Sequence, residues 1–211
     1  MDIAKFKKLP IMGILRGVKK SEISPLIETI IASGMETVEI TMNTEDAPEL
    51  IKEAKKVAGD RLMIGAGTVL SMYALHAALE AGATFIVMPG LVEDVTEYCV
   101  KNYIPVFPGA LTPDEVLKAW QSGATMVKIF PSGLFGPQYF RELKGPLNEV
   151  QLMAVGGVRQ DNIWEFFSCG ASAVGIGGSV FNRQQIVSGN HEVIKASLMA
   201  LVSAIKQQLR R

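Results

Sequence analysis

A single lysine interrupts an apolar run. Lys128 stands between Val127 and Ile129 in "SGATMVKIFPSGLFGP", residues 122–137, close to Phe130 and Pro131. A solvated ammonium does not favour such a place, so the run is either a surface edge or a means of keeping an amine dry. A dry, neutral amine attacks a carbonyl carbon and forms a Schiff base. Lysine ordinarily titrates near pH ~10.4, so its pKa must fall for that chemistry to run near neutrality. Burial against Val127, Ile129 and Phe130 pushes it down. A nearby carboxylate pushes it up, and Glu39 is the candidate, because it occupies the same place as Lys128 in an internal repeat. One water away, a carboxylate perturbs the amine less and still shuttles protons. The plain alternative is a buried structural Lys–Glu ion pair, whose desolvation can exceed its Coulombic gain.

Other groups fall at the ends of neighbouring apolar runs. Arg16 ends "ILRG", where a guanidinium either clamps a carboxylate bidentately or simply faces solvent. Thr68, in "GAGT", brings a hydroxyl. Two late turns, "AVGGV" (154–158) and "GIGGS" (175–179), contain Gly156, Gly157, Gly177, Gly178 and Ser179. Glycines let backbone amides approach an anion, although tight turns without a ligand also use them. "GIGG" lacks the G-x-G-x-x-G spacing of a dinucleotide site. His76 and His191 fall in helical stretches and are expected at the surface, and Trp120 and Trp164 read as packing or subunit contacts. With no clustered ligands, no metal is expected.

The repeat supplies the scaffold. "SGMETVEI" (33–40), "AGATFIVM" (81–88), "SGATMVKI" (122–129) and "CGASAVGI" (169–176) each place a glycine before a short apolar run. The glycine reads as the residue that ends a helix just before a strand begins. Gly34, Gly82, Gly123 and Gly170 recur at intervals of 48, 41 and 47 residues, the length of two strand–helix units. The intervening units are "IMGILRG", "LMIGAGT", "IPVFPGA" and "LMAVGGV". Helical periodicity predicts helices over Glu22–Ala32, Ala47–Val57, Met72–Ala81, Glu93–Lys101, Pro113–Gln121, Gln138–Leu143, Asn162–Phe167 and Glu192–Leu209. Thr112 before Pro113 is an N-cap followed by a proline at the first helical position. Eight near-continuous apolar strands, each followed by a helix, predict a single (β/α)8 TIM barrel over 1–211 with a short N-terminal helix. An open doubly wound sheet is the alternative. In the barrel, Glu39, Val87, Lys128 and Gly175 share one interior layer, which sets Glu39 and Lys128 on opposite walls. A slip of one residue turns both outward.

Composition narrows the partners. The chain has 21 basic and 21 acidic residues, 48% apolar residues and 20% charged ones. Zero net charge offers no face for nucleic acid and no polybasic membrane patch. The charged start "MDIAKFKKLP" is expected to carry no signal peptide, and the apolar runs fall short of a bilayer span. Cys99 and Cys169 stand apart and are expected to be reduced, as in a cytoplasmic protein.

The motifs "VEIT", "IGAGTV", "FPGALTP", "VKIFP", "GPQY" and "GGV" run through nearly the whole chain. Together the sequence resembles the 2-dehydro-3-deoxy-phosphogluconate (KDPG) / 4-hydroxy-2-oxoglutarate aldolase family. The resemblance implies a trimeric, cofactor-free class I aldolase that splits a phosphorylated 2-keto-3-deoxy sugar acid into pyruvate and glyceraldehyde 3-phosphate. It implies Lys128 as the Schiff-base lysine and Glu39 as the general acid/base. Thr68 and Pro89 would line the pyruvate pocket, with Phe130 packed beside it, and Gly156, Gly157, Gly178 and Ser179 would hold the phosphate. Two positions depart from the gluconate-type pattern. Asn43 stands where an arginine is often found, with Arg16 as the substitute guanidinium, and Val155 replaces a threonine. Both resemble the branch acting on the galactonate epimer. The rival functions are a sugar-phosphate isomerase or epimerase, in which Lys128 is only electrostatic, and a non-catalytic phospho-ligand sensor.

Overall fold

The computed structural model describes residues 1–208, and the last residue of the final expected helix, Leu209, lies outside them. The strands are β1 (Ile11–Leu15), β2 (Thr37–Thr41), β3 (Met63–Gly67), β4 (Ile86–Val87), β5 (Val106–Phe107), β6 (Gly109–Ala110), β7 (Val127–Ile129), β8 (Leu152–Val155) and β9 (Ala173–Ile176). All pair in parallel, in the order β5-β4-β3-β2-β1-β9-β8-β7-β6. β5 and β6 are two halves of one strand broken at Pro108, which has no N–H to donate. The first half pairs with β4 and the second with β7, so this strand closes the cylinder. Eight strands were expected and nine segments are found, and the proline accounts for the difference.

The helices are α1 (Ile3–Lys8), α2 (Lys20–Ala32), α3 (Ala47–Ala58), α4 (Met72–Glu80), α5 (Glu93–Lys101), α6 (Pro113–Gln121), α7 (Gln138–Lys144), α8 (Ile163–Ser168), α9 (Arg183–Val187) and α10 (His191–Gln208). The repeat glycines Gly34, Gly82, Gly123 and Gly170 have φ of 79°, 95°, 92° and 102°, the left-handed region a helix-ending glycine supplies. At α6 the Thr112 hydroxyl accepts from the Glu115 N–H. The Glu115 carboxylate in turn accepts from the Thr112 N–H at 3.0 Å. No described helix is long and apolar enough to cross a membrane.

Strand alternation sorts the core into two clusters. Val38, Ile40, Val127 and Ile129 point out into the aliphatic layer under the helices. Met12, Phe85, Val87, Phe107, Met126, Met153 and Val155 fill the barrel interior, joined by Phe6 of α1. Phe6 is fully buried, edge-on to Phe107 at 6.0 Å between ring centroids, so α1 plugs the barrel. Truncation to Phe6→Ala is expected to lower stability by about 3–5 kcal/mol through lost burial and the cavity left behind, read as a shift in the urea midpoint.

Candidate active site

The outward flanks fix the direction of the two charged residues. Because Val127 and Ile129 face the helices, Lys128 faces the barrel interior. Glu39, flanked by Val38 and Ile40, does the same. Their relative exposures are 4% and 1%, so neither charge is solvated. Their strands are well separated in the sheet order. Among the described residues Lys128 takes part in no ion pair, and Glu39 Oε2 is buried without a hydrogen-bond partner. A tight structural salt bridge is therefore not what the structure contains.

Burial dominates both titrations. It pushes the Lys128 amine below the ordinary lysine value, and the Arg16 charge adds to this while the Glu39 charge opposes it. It pushes the Glu39 carboxyl above the ordinary carboxylate value, against the pull of Lys128 and Arg16. Each group is biased toward its neutral form, the form in which an amine can attack a carbonyl and a carboxyl can give up a proton. Lys128 Nζ also lies 5.3 Å from the centre of the Phe130 ring.

Lys128 opens into a cavity of about 590 Å³ at the C-terminal ends of the strands, the rim where this architecture carries its chemistry. Arg16, Phe130, Val155, Gly156, Gly157, Gly178 and Ser179 all line it. Gly156 and Gly157 have φ of 85° and 79°, which turn the chain sharply after β8. A side chain on Gly157 would come within 2.7 Å of Gly133 Cα, so this turn is packed against the segment after β7. There Gly133 N–H donates to the Gly156 carbonyl at 2.8 Å. Ser132 ties the same two strands, donating to the Ile129 carbonyl at 2.7 Å and accepting from Val155 N–H at 3.0 Å. The Ser179 hydroxyl donates to the Val158 carbonyl at 3.0 Å, whereas among the described residues the Gly178 and Ser179 amides bond no other backbone group. An anion there would meet backbone amides first.

Three of the expected site residues sit outside that wall. Glu39, 1% exposed, is not part of the cavity lining. Pro89 lines a second cavity of about 360 Å³ that shares Phe130 with the first. Thr68 is half-buried at the end of β3, with a φ of 55° that a β-branched residue seldom adopts.

Two charged cavity residues were not singled out in the sequence: Arg159 and Arg183. Each is held by a carboxylate, Arg159 by Asp161 at 3.0 Å and Arg183 by Glu22. They bring two guanidinium groups to the glycine-rich end. The signal available was position, since Arg159 directly follows "GGV" and Arg183 lies four residues after Ser179.

Comparison with known proteins gives concordant results. Residues 3–197 match the family described as "KDPG and KHG aldolase". The chain is 33% identical over 200 residues to the 2-dehydro-3-deoxy-6-phosphogalactonate aldolase of Escherichia coli (strain K12), covering 94% of this chain and 98% of that protein. A solved structure described as native KDPGal superposes with a TM-score of 0.89 at 32% identity, over 97% of this chain and 98% of the other. A KDPG aldolase from Legionella pneumophila, with pyruvate captured at low pH as a covalent carbinolamine intermediate, superposes with a TM-score of 0.87 at 26% identity, over 94% and 96% of the two chains.

Proposed function

The chain belongs to the KDPG and KHG aldolase family, and we propose that it is a class I aldolase in which Lys128 is the nucleophile, with 2-dehydro-3-deoxy-6-phosphogalactonate as its preferred substrate. The observation that carries the reading is the buried, unpaired Lys128 amine, with its pKa lowered, at the floor of a cavity whose far end is a pair of glycine-rich turns. An electrostatic role in an isomerase would not need a desolvated amine, nor would a ligand sensor.

In the reaction, Arg16 takes the substrate carboxylate, and the phosphate docks on the amides around Gly156, Gly157, Gly178 and Ser179, with Arg159 and Arg183 nearby. Thr68 and Pro89 are assigned to the pyruvate end. Lys128 attacks the C2 ketone to give a carbinolamine, and loss of water leaves a protonated imine. Glu39, directly or through one water, takes the C4 hydroxyl proton. The C3–C4 bond breaks and its electrons pass to the imine as an enamine, releasing glyceraldehyde 3-phosphate. The enamine is protonated at C3 from Glu39, and water returns pyruvate and the free amine.

The epimer assignment rests on Val155, a buried cavity residue that offers no hydroxyl to the sugar, and on Asn43. Pyruvate release from the two C4 epimers and from 4-hydroxy-2-oxoglutarate tests it. The expected result is a kcat/KM about 10–100-fold higher for the galactonate epimer, the scale on which an apolar wall discriminates. The opposite preference would overturn the epimer and leave the class, and no release from any of the three would overturn the class. A homotrimer in the cytoplasm belongs to the same reading, and light scattering checks the assembly against the 22.8 kDa chain mass.

A further inference from the structure

We infer that Gly67 is a positioning residue for Glu39, its missing side chain being the slot in which the acid/base carboxyl is held. The inference rests on the aldolase reading and adds to it a residue that touches no substrate. Gly67 is the last residue of β3 and pairs with Thr41, two residues beyond Glu39 on β2. A Cβ built on Gly67 would lie 2.5 Å from both Cδ and Oε1 of Glu39 and 2.9 Å from Oε2. Real side chains do not tolerate such distances, and the obstacle is the carboxyl itself.

The backbone gives no other reason for glycine. Gly67 is an ordinary strand residue and is absent from the residues of positive φ, whereas its neighbour Thr68 is among them. Gly65, one interior position earlier on β3, shows the same relation to a different neighbour: a Cβ there would lie 2.5 Å from the Phe85 ring. β3 thus gives up two side chains, one to an aromatic ring of the barrel core and one to the carboxyl. The second is needed because Glu39 has so little else to hold it. Its Oε2 has no hydrogen-bond partner and it forms no ion pair with Lys128, so shape takes the place of bonding in setting where the carboxyl stands. A methyl group at Gly67 would displace the carboxyl from the place it now holds.

The test is a double-mutant cycle with Gly67→Ala and Glu39→Asp, read by steady-state cleavage and by borohydride trapping of pyruvate on Lys128. Gly67→Ala is expected to retain the trapped adduct and near-normal KM while kcat falls about 10²-fold, the scale of an ångström's misplacement of a catalytic group. Glu39→Asp withdraws the carboxyl by one methylene and makes room for the methyl. In the double variant, kcat should therefore exceed the product of the two single effects by about tenfold or more, a coupling expected of residues in contact. A merely structural role for Gly67 would give no such rescue. If Gly67→Ala does not fold, recovery of folding in the double variant supports the inference and failure of both overturns it. Unaltered kcat in Gly67→Ala, or strictly multiplicative effects, would overturn the inference alone. A wild-type protein that traps no pyruvate would overturn the aldolase reading and the inference with it.

Discussion

Replacing Lys128 with alanine is expected to reduce cleavage by about 10⁶-fold, the order lost when the nucleophile of a covalent mechanism is removed, and to abolish the three-carbon adduct left by pyruvate and borohydride. Mass spectrometry of the peptide containing Lys128 checks the adduct, and a coupled assay for pyruvate checks the rate. Persistence of either in the variant would remove the covalent mechanism. The prediction is sharp because no other described lysine has the same surroundings: Lys128 is the only buried lysine among the described residues. The same environment carries a thermodynamic consequence. The native amine titrates below the ordinary lysine value, chiefly through burial. Between its native pKa and about 10.5 the unfolded chain therefore binds a proton that the native state does not. Wild-type stability rises with pH through that window. Lys128→Met removes the dependence, so the variant should be more stable than wild type at neutral pH, with the gain vanishing above about pH 10.5. Urea titrations at two pH values read this directly. Loss of activity together with a gain in stability separates a catalytic lysine from a structural one, because removing one partner of a structural ion pair would lower stability.

How much of this was legible in the sequence follows from the range over which each feature is determined. The equivalence of Glu39 and Lys128 was visible because the glycine-led repeat carries its own register: once Gly34 and Gly123 end their helices, the fifth residue after each must face inward. The turns at Gly156 and Gly178 were visible for a similar local reason. The proline is present in "IPVFPGA", but that run reads as one strand, because the pairing of its two halves with β4 and β7 depends on closure of the whole cylinder. The five-residue helix α9 has too few turns for periodicity to register. Arg183 enters the cavity wall through a tertiary pair that reaches back to Glu22 near the start of α2, and Arg159 is held by a local pair with Asp161 in a segment without periodicity. The competition at Lys128 between burial and the carboxylate was open in the sequence, since it depends on the separation of the two groups and on how dry the site is. In the structure the pair is unbonded and enclosed, and burial prevails at both residues.

Glu39→Gln is expected to lower kcat for cleavage by about 10²–10⁴-fold, the usual contribution of general acid–base catalysis, while leaving pyruvate trapping on Lys128 in place. Forming the imine needs the amine and the cavity, whereas breaking the C3–C4 bond and quenching the enamine need the proton carrier. The amide occupies nearly the same volume over Gly67, so a packing change cannot account for the loss. The pH profile makes the assignment specific. The base must be ionised to take the C4 hydroxyl proton, and burial holds the Glu39 pKa above the ordinary carboxylate value of 4.5. As pH falls, wild-type cleavage should therefore be lost at a higher pH than an ordinary carboxylate would allow, and the glutamine variant should lack that limb. Stability runs the other way. Above pH 4.5 the unfolded carboxyl ionises while the native one keeps its proton, so the native state binds more protons and stability declines as pH rises toward the native pKa. Glutamine cannot ionise, so at neutral pH the variant should resist urea better than wild type. If Glu39→Gln instead lost pyruvate trapping, the carboxyl would belong to the formation of the imine rather than to cleavage. If it kept full kcat, the proton carrier would have to be sought elsewhere along the cavity.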